Sequence, residues 1–319
     1  MTRPAFLNLS PGLDRVGRAC AWIEREDGFV LMTGLEWGGW TLPGGGIHPG
    51  ETPAQAAVRE AWEEAGAHAE VAGDPFPIVG VSGVESICVP LHLTRLEPSP
   101  EGRPVTWVNP RSLPWAEDHQ LRQVLAARGQ TPAHLRVPPL VQAAQAVASP
   151  DFAGGCSPET GRLLRTLAAT RPGGRVLELG TGTGVGAAWL LSGLDRAGHL
   201  LTVEADLARA EVAWAALQAD PRARVQRGDW GDVLRDGPFD LIFADCAPAK
   251  TPDALDRLVR ALRPGGTLIM DNFSPPAFMS PARHPGDPLR DALFAHPQLT
   301  CTELEVRRRE RVLLAVRTA

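Results

Sequence analysis

Five short apolar runs recur through the second half of the chain, at "RVLELG", "LLTVEA", "RVQRGD", "DLIFAD" and "TLIMDN". Stretches of helical character lie among them: "GAAWLLSGLD", "LARAEVAWAALQA" and "TPDALDRLVRALRPGG". Strands this short and this continuously apolar must be covered on both faces. Strand–helix alternation achieves that as a parallel sheet with helices on either side. The last pair, within "LTCTELEVRRRERVLLAVR", has no helix between its strands and predicts an antiparallel hairpin at the sheet edge.

The first half has a different rhythm. Strand-like "ACAWIE", "FVLMT" and "WTLP" lead into a glycine turn and the helical "TPAQAAVREAWEEAGA". Then "IVGVS", "ICVPLHLTRL" and "VTWV" precede the helix candidate "EDHQLRQVLAARG". This is an α+β order. A chain of 319 residues accommodates two domains. We expect them at 1–131 and 151–319, with 132–150 as a linker opened by the Pro-rich "GQTPAHLRVPPLVQAAQ".

Composition narrows the function classes. No apolar run approaches the ~18 residues of a membrane span, and the first residues lack a signal-peptide core, so a cytoplasmic location is expected. The five cysteines are dispersed without a CxxC, which points to free thiols in a reducing compartment and against zinc. Residues 1–131 hold 10 arginines against 16 acids, and residues 132–319 hold 22 basic side chains against 21 acids. Neither half has the basic excess of a dedicated nucleic-acid binder, so nucleic acid is a possible partner that is not favoured. "RRRER", 307–311, reads as a solvated hairpin end.

Within "GGIHPGETPAQAAVREAWEEAGA", residues 45–67, Glu60, Glu63 and Glu64 stand at i, i+3 and i+4 and share one helix face. Three like charges there are unfavourable for a bare helix, and only Arg59 is adjacent to offset them. Such clusters suit hard divalent cations, Mg²⁺ or Mn²⁺, with Glu51 in the preceding turn as a further oxygen donor. The glycines at 44–46 permit close approach of backbone to a phosphate.

These positions resemble the signature of the Nudix hydrolases: Gly45, then Glu51, Arg59-Glu60, Glu63-Glu64 and Gly66 at the family's spacing. The two aliphatic positions hold Ala61 and Ala67 instead. The resemblance implies a mixed sheet sandwiched by helices and Mg²⁺-dependent hydrolysis of a nucleoside diphosphate linked to another group. Glu60, Glu63 and Glu64 would be catalytic ion ligands, Glu51 a weaker one, and Arg59 would orient a glutamate. Trp37 or Trp40 could stack on a base, although Trp40 reads better as core, and Glu117, where some relatives place a base, reads better as part of an exposed acidic loop.

"VLELGTGTGVGAAWLL", residues 176–191, gives a strand, a glycine turn and a helix. Glycines there let a ligand approach the helix N–H groups. Gly182, Gly184 and Ala187 also satisfy the dinucleotide pattern GxGxxA, and Glu204 ends the next strand as a ribose-binding acid should, so NAD is a rival ligand on the turn alone.

Glu178, Gly180, Gly182 and Gly184 form E-x-G-x-G-x-G, which resembles motif I of class I S-adenosylmethionine-dependent methyltransferases. From "CSPETGRLL" onward the chain is similar to the cation-dependent O-methyltransferases acting on catechol and caffeoyl-CoA. The resemblance implies a Rossmann-like fold with a terminal antiparallel hairpin and methyl transfer to a hydroxyl. Glu178 would lie at the methionine end of the cofactor, Glu204 on the ribose and Asp229 beside the adenine. Asp245, Asp271 and Asn272 fall where that group binds a second divalent ion.

The sequence departs from the group in three respects. The family lysine follows the strand-four Asp closely, whereas "DCAPAK" inserts Pro248 and lengthens the gap, so Lys250 is nominated as a base that falls short of the acceptor. The segment before "CSPETGRLL" is short for an acceptor cover. With no tyrosine in the chain, Phe273, Phe278 and Met279 are the candidate acceptor wall. The whole reads as a bifunctional enzyme acting on a nucleoside diphosphate derivative and a small-molecule methyl acceptor. Alternatives are a tRNA hydroxyl methyltransferase with an accessory Nudix domain, or one half serving as a ligand-sensing module.

Overall fold

A computed structural model describes residues 17–35, 38–79, 85–112, 115, 118–148, 155–275, 279, 286–307 and 310–318. It divides the chain into two compact units, Met1–Arg136 and Val137–Ala319.

The first unit runs β1 (Arg18–Ile23), β2 (Val30–Gly34), β3 (Trp40–Thr41), β4 (Gly44–Gly46), α1 (Pro53–Ala65), β5 (Ala67–Val71), β6 (Phe76–Val79), β7 (Glu85–Leu96), β8 (Val105–Val108) and α2 (His119–Ala127). One sheet has the order β4-β1-β7-β5, with β6 also on β7; a second has the order β3-β2-β8. The first is mixed, because β1 and β7 are parallel and its other pairs antiparallel. Alternation along β1 explains the layering. Ala19, Ala21 and Ile23 pack with Ala56, Ala57, Ala61 and Ala65 of α1. Cys20 and Trp22 pack with Leu121, Val124 and Leu125 of α2. Pro90, inside β7, sits where the partner changes from β6 at Cys88 to β5 at Leu91, so its missing N–H interrupts no ladder there.

The sequence caps α1 at both ends. Thr52 and Gln55 form a reciprocal capping box, and Gly66 ends the helix in the left-handed conformation. A β-carbon on Gly66, at φ +65°, would stand 1.9 Å from the Glu97 carbonyl oxygen. Gly66→Ala is therefore expected to destabilise the first unit by about 3 kcal/mol, combining backbone strain with overpacking. Hydrogen exchange of the amides from Pro53 to Leu96 under denaturant measures it.

The second unit runs α3 (Pro139–Val147), α4 (Pro158–Ala169), β9 (Arg175–Leu179), α5 (Val185–Gly193), β10 (His199–Glu204), α6 (Leu207–Leu217), β11 (Ala223–Arg227), β12 (Phe239–Ala244), α7 (Pro252–Ala261), β13 (Leu262–Phe273), α8 (Pro288–Ala295), β14 (Leu299–Arg307) and β15 (Glu310–Arg317). Its sheet order is β11-β10-β9-β12-β13-β15-β14. The first five strands are parallel, and the last two form the expected hairpin, with β15 against β13. The order reverses between β9 and β12, which opens a crevice at their carboxyl ends.

One sequence expectation changes here. Residues 139–147, placed in the linker, form α3, and Val141 and Ala144 are fully buried in the core of the second unit. The prolines that suggested a linker instead start the helix, with Pro139 in its first turn.

Candidate functional sites

In the first unit, Arg59 gathers three of the four predicted glutamates. Its Nε and Nη2 donate to the two oxygens of Glu51 at 2.9 and 3.0 Å. Its Nη1 donates to Glu60 and Glu63, both at 2.8 Å, and Nη2 also reaches the Gly46 carbonyl at 2.8 Å. The bonds from Arg59 hold the Glu51 carboxyl below the usual range. Glu64 lies apart, accepting from the Gly44 amide at 2.9 Å and pairing with Arg103 at 2.8 Å. Burial, aided by the charges of Glu60 and Glu101, raises its pKa against those two partners. Gly45 has a direct reason to be glycine: a β-carbon there would fall 2.2 Å from a Glu60 oxygen.

Arg103 was not foreseen. It lies between β7 and β8 and pairs with both Glu64 and Glu101, and nothing in the local sequence distinguishes it from other surface arginines. Trp40 is partly buried against the α2 face, as expected. Trp37, Glu117 and Phe278 lie outside the described residues.

All donors in this site are hard oxygens, the kind Mg²⁺ or Mn²⁺ takes. Among the described residues no three acids, histidines or cysteines already enclose an ion. Glu60 and Glu63 face the guanidinium of Arg59 instead.

In the second unit the glycine turn follows β9. Gly180, Gly182 and Gly184 all have positive φ (+95°, +55° and +91°), and Gly184 caps α5. Glu204, at the end of β10, accepts from the Gly182 amide at 2.8 Å and from the Asp206 amide at 3.0 Å. Its carboxylate is thereby aimed at the crevice and keeps lone pairs for a ligand. Glu178 is buried within β9 and accepts from the Thr202 hydroxyl at 2.5 Å. Burial pushes it well above the carboxylate range, reinforced by Asp245, Asp271 and Glu204. The Thr183 hydroxyl in the turn is buried with no hydrogen-bond partner among the described residues. Asp229 follows β11, where its carboxylate accepts from the Gly231 amide at 2.8 Å; Arg257 covers the neighbouring Trp230 ring at 4.6 Å.

Asp245, just after β12, and Asp271, near the end of β13, do come together, around Lys250. The segment Ala247–Ala249, including Pro248, is a 3-10 turn. This turn folds the chain back and delivers Lys250 to the strand ends. Its Nζ donates to Asp271 Oδ1 at 2.6 Å, Asp245 Oδ1 at 3.2 Å and the Asp271 carbonyl at 3.2 Å. Asn272, at φ +64°, sits at an irregularity in the β13–β15 pairing, with its amide nitrogen 3.5 Å from Asp245. Phe273 packs partly buried under Arg290, 5.4 Å above its ring, while Met279 is half-buried.

Burial and the adjacent Asp271 push the Asp245 carboxyl up to about 8, despite Lys250. The native state then holds a proton that the unfolded chain releases near pH 4. Stability of the second unit must fall as pH rises from about 4 to 8, in the same sense as the raised Glu178. Asp245→Asn removes one of these protons. Its thermal midpoint is expected to decline less between pH 5 and 8 than that of the unmodified chain, as read by calorimetry at each pH.

A family model described as "NUDIX domain" matches residues 14–127, and one described as "Methyltransferase domain" matches residues 177–273. The chain carries a NUDIX domain followed by a methyltransferase domain. A curated protein of Mycolicibacterium vanbaalenii named "Putative O-methyltransferase" is 37% identical over 138 residues, covering 41% of this chain and 61% of that protein. The chain thus spans about three fifths of the length of that curated relative. An O-methyltransferase from Bacillus cereus, solved in complex with SAH, is 24% identical with a TM-score of 0.51. The match covers 62% of this chain and 97% of that one, and it shows the fold of the methyltransferase domain. A Klebsiella pneumoniae structure, also named as a putative O-methyltransferase, is 26% identical with a TM-score of 0.50, over 62% of this chain and 96% of its own. Among the described residues no helix of either domain is long and apolar enough to cross a membrane.

Proposed function

We propose that the methyltransferase domain moves a methyl group from S-adenosylmethionine to a hydroxyl of a small molecule. The observation that carries this is Glu204, fixed by two backbone amides at the mouth of a turn of three left-handed glycines. The cofactor supplies an electrophilic methyl on a cationic sulfonium. Glu204 would hold the ribose hydroxyls, Asp229 the adenine side, and the Thr183 hydroxyl and the N-terminal amides of α5 the polar methionine end. Calorimetry with S-adenosylmethionine tests the reading; tighter binding of NAD overturns it. A screen of hydroxylated metabolites and tRNA fractions identifies the acceptor.

We propose that the NUDIX domain hydrolyses a nucleoside diphosphate linked to another group. Glu60, Glu63 and Glu64 would hold Mg²⁺ or Mn²⁺, with Glu51 beside them. Such an ion neutralises the diphosphate and lowers the pKa of bound water. Arg59 keeps Glu51 ionised and spaces the glutamates. Release of phosphorylated products from a panel of nucleoside diphosphate derivatives tests this; no release from any of them overturns it. A small-molecule acceptor is favoured over RNA because neither domain carries a basic excess.

A further inference from the structure

The O-methyltransferases that this domain resembled in sequence would place a divalent ion between Asp245, Asp271 and Asn272. The residues present do not fit one. The position between the two carboxylates is taken by the Lys250 ammonium, 2.6 Å from Asp271 and 3.2 Å from Asp245. An ammonium has three hydrogens, and all three have acceptors here, the third being the Asp271 carbonyl at 3.2 Å. Lys250 therefore has neither a lone pair nor a spare hydrogen to offer an acceptor hydroxyl, and the nomination of Lys250 as base does not match its placement. The Asp271 side chain is fully buried and that of Lys250 nearly so, so the pair is not a solvated surface bridge.

Lys250 is also the only lysine among 32 Lys and Arg residues. Its compact ammonium serves three oxygens from three directions, as a small ion does.

We propose that Lys250 is a tethered replacement for the divalent ion, so that methyl transfer in this domain requires no metal. The inference rests on the methyltransferase reading above. Its consequence concerns substrate class. An ion selects acceptors that chelate through two adjacent oxygens; without one, a single hydroxyl held by hydrogen bonds suffices. In the transfer, the acceptor oxygen bonds to the methyl carbon as the carbon–sulfur bond breaks. Sulfur keeps the electron pair as a neutral thioether, and the hydroxyl proton leaves to solvent. Lys250 acts as a positioning residue, holding the two acids in place.

Mn²⁺ uptake tests this independently of activity. The full chain carrying Glu51→Gln and Glu63→Gln, to weaken ion binding in the NUDIX domain, is titrated with Mn²⁺ to about 1 mM, the weak end for oxygen-ligand sites. The expected result is no uptake that depends on Asp245. Adding Lys250→Ala is expected to create one Mn²⁺ site, lost again on Asp245→Asn. Asp245-dependent uptake with Lys250 in place overturns the proposal. So does failure of a folded Lys250→Ala chain to gain a site, because the acids would then be unable to hold an ion at all. The first arm needs no change at Lys250 and stands even if that variant does not fold. Calorimetry with S-adenosylmethionine on the same preparation separates the two readings: absent cofactor binding defeats the methyltransferase assignment, whereas Asp245-dependent Mn²⁺ uptake defeats only the replacement.

Discussion

Glu204→Ala is expected to weaken S-adenosylmethionine binding by about a hundredfold or more. A carboxylate accepting from both ribose hydroxyls makes two charge-assisted bonds, together worth roughly 3–4 kcal/mol. The change also releases the Gly182 and Asp206 amides that the carboxylate now holds at 2.8 and 3.0 Å, so the turn loses its brace as well. Calorimetry on the full chain gives the affinity directly. A change within about threefold would remove Glu204 from the cofactor site. Glu204→Gln keeps the shape and can still accept from one amide, so it should fall between the two, which separates loss of charge from collapse of the turn.

Glu63→Gln is expected to reduce hydrolysis by the NUDIX domain about 10²–10³-fold, the range for removing one charged group that acts on a developing transition state. Among the three helix glutamates it is the informative one. Glu60 and Glu64 are buried, at 8% and 5% exposure, so their replacement also disturbs packing. The Glu63 side chain is about a third exposed, and its ion pair is with Arg59. Its substitution should therefore leave the thermal midpoint near that of the unmodified chain while activity falls. Retained turnover would exclude Glu63 from the ion site; a collapse of stability would show that its pairing with Arg59 is structural.

Much of this architecture could be read along the chain because its signals are local. The spacing of Glu60, Glu63 and Glu64, the Thr52–Gln55 capping box and Gly66 lie within a few turns of one helix. The apolar runs of β9, β10, β12 and β13 announce a buried parallel sheet by composition alone, whereas β11, at the sheet edge, has no buried residue. What escaped depends on contacts distant in sequence. Arg103 reaches Glu64 across 39 positions, and no periodicity announces such a pair. α3 was taken for a linker because prolines at 138 and 139 mark both linkers and helix starts, and only burial of Val141 and Ala144 distinguishes the two. Lys250 was judged too distant on residue count, yet the 3-10 turn over 247–249 shortens the path. Counting residues measures contour length, and the turn sets reach.

The glycine turn and the acid that ends β12 are in direct contact. A β-carbon on Gly180 would stand 2.8 Å from the Asp245 carbonyl oxygen and 2.9 Å from the Cys246 side chain, and the Asp245 amide donates to Leu179 at 2.8 Å. On the proposed function, the wall that would hold the methyl donor is thus also the back of the wall that would face the acceptor. For anyone redesigning this domain, the two specificities are not separate modules. A library that varies residues 245–250 to admit a new acceptor will select, unasked, for changes in donor affinity, and the two properties have to be screened together.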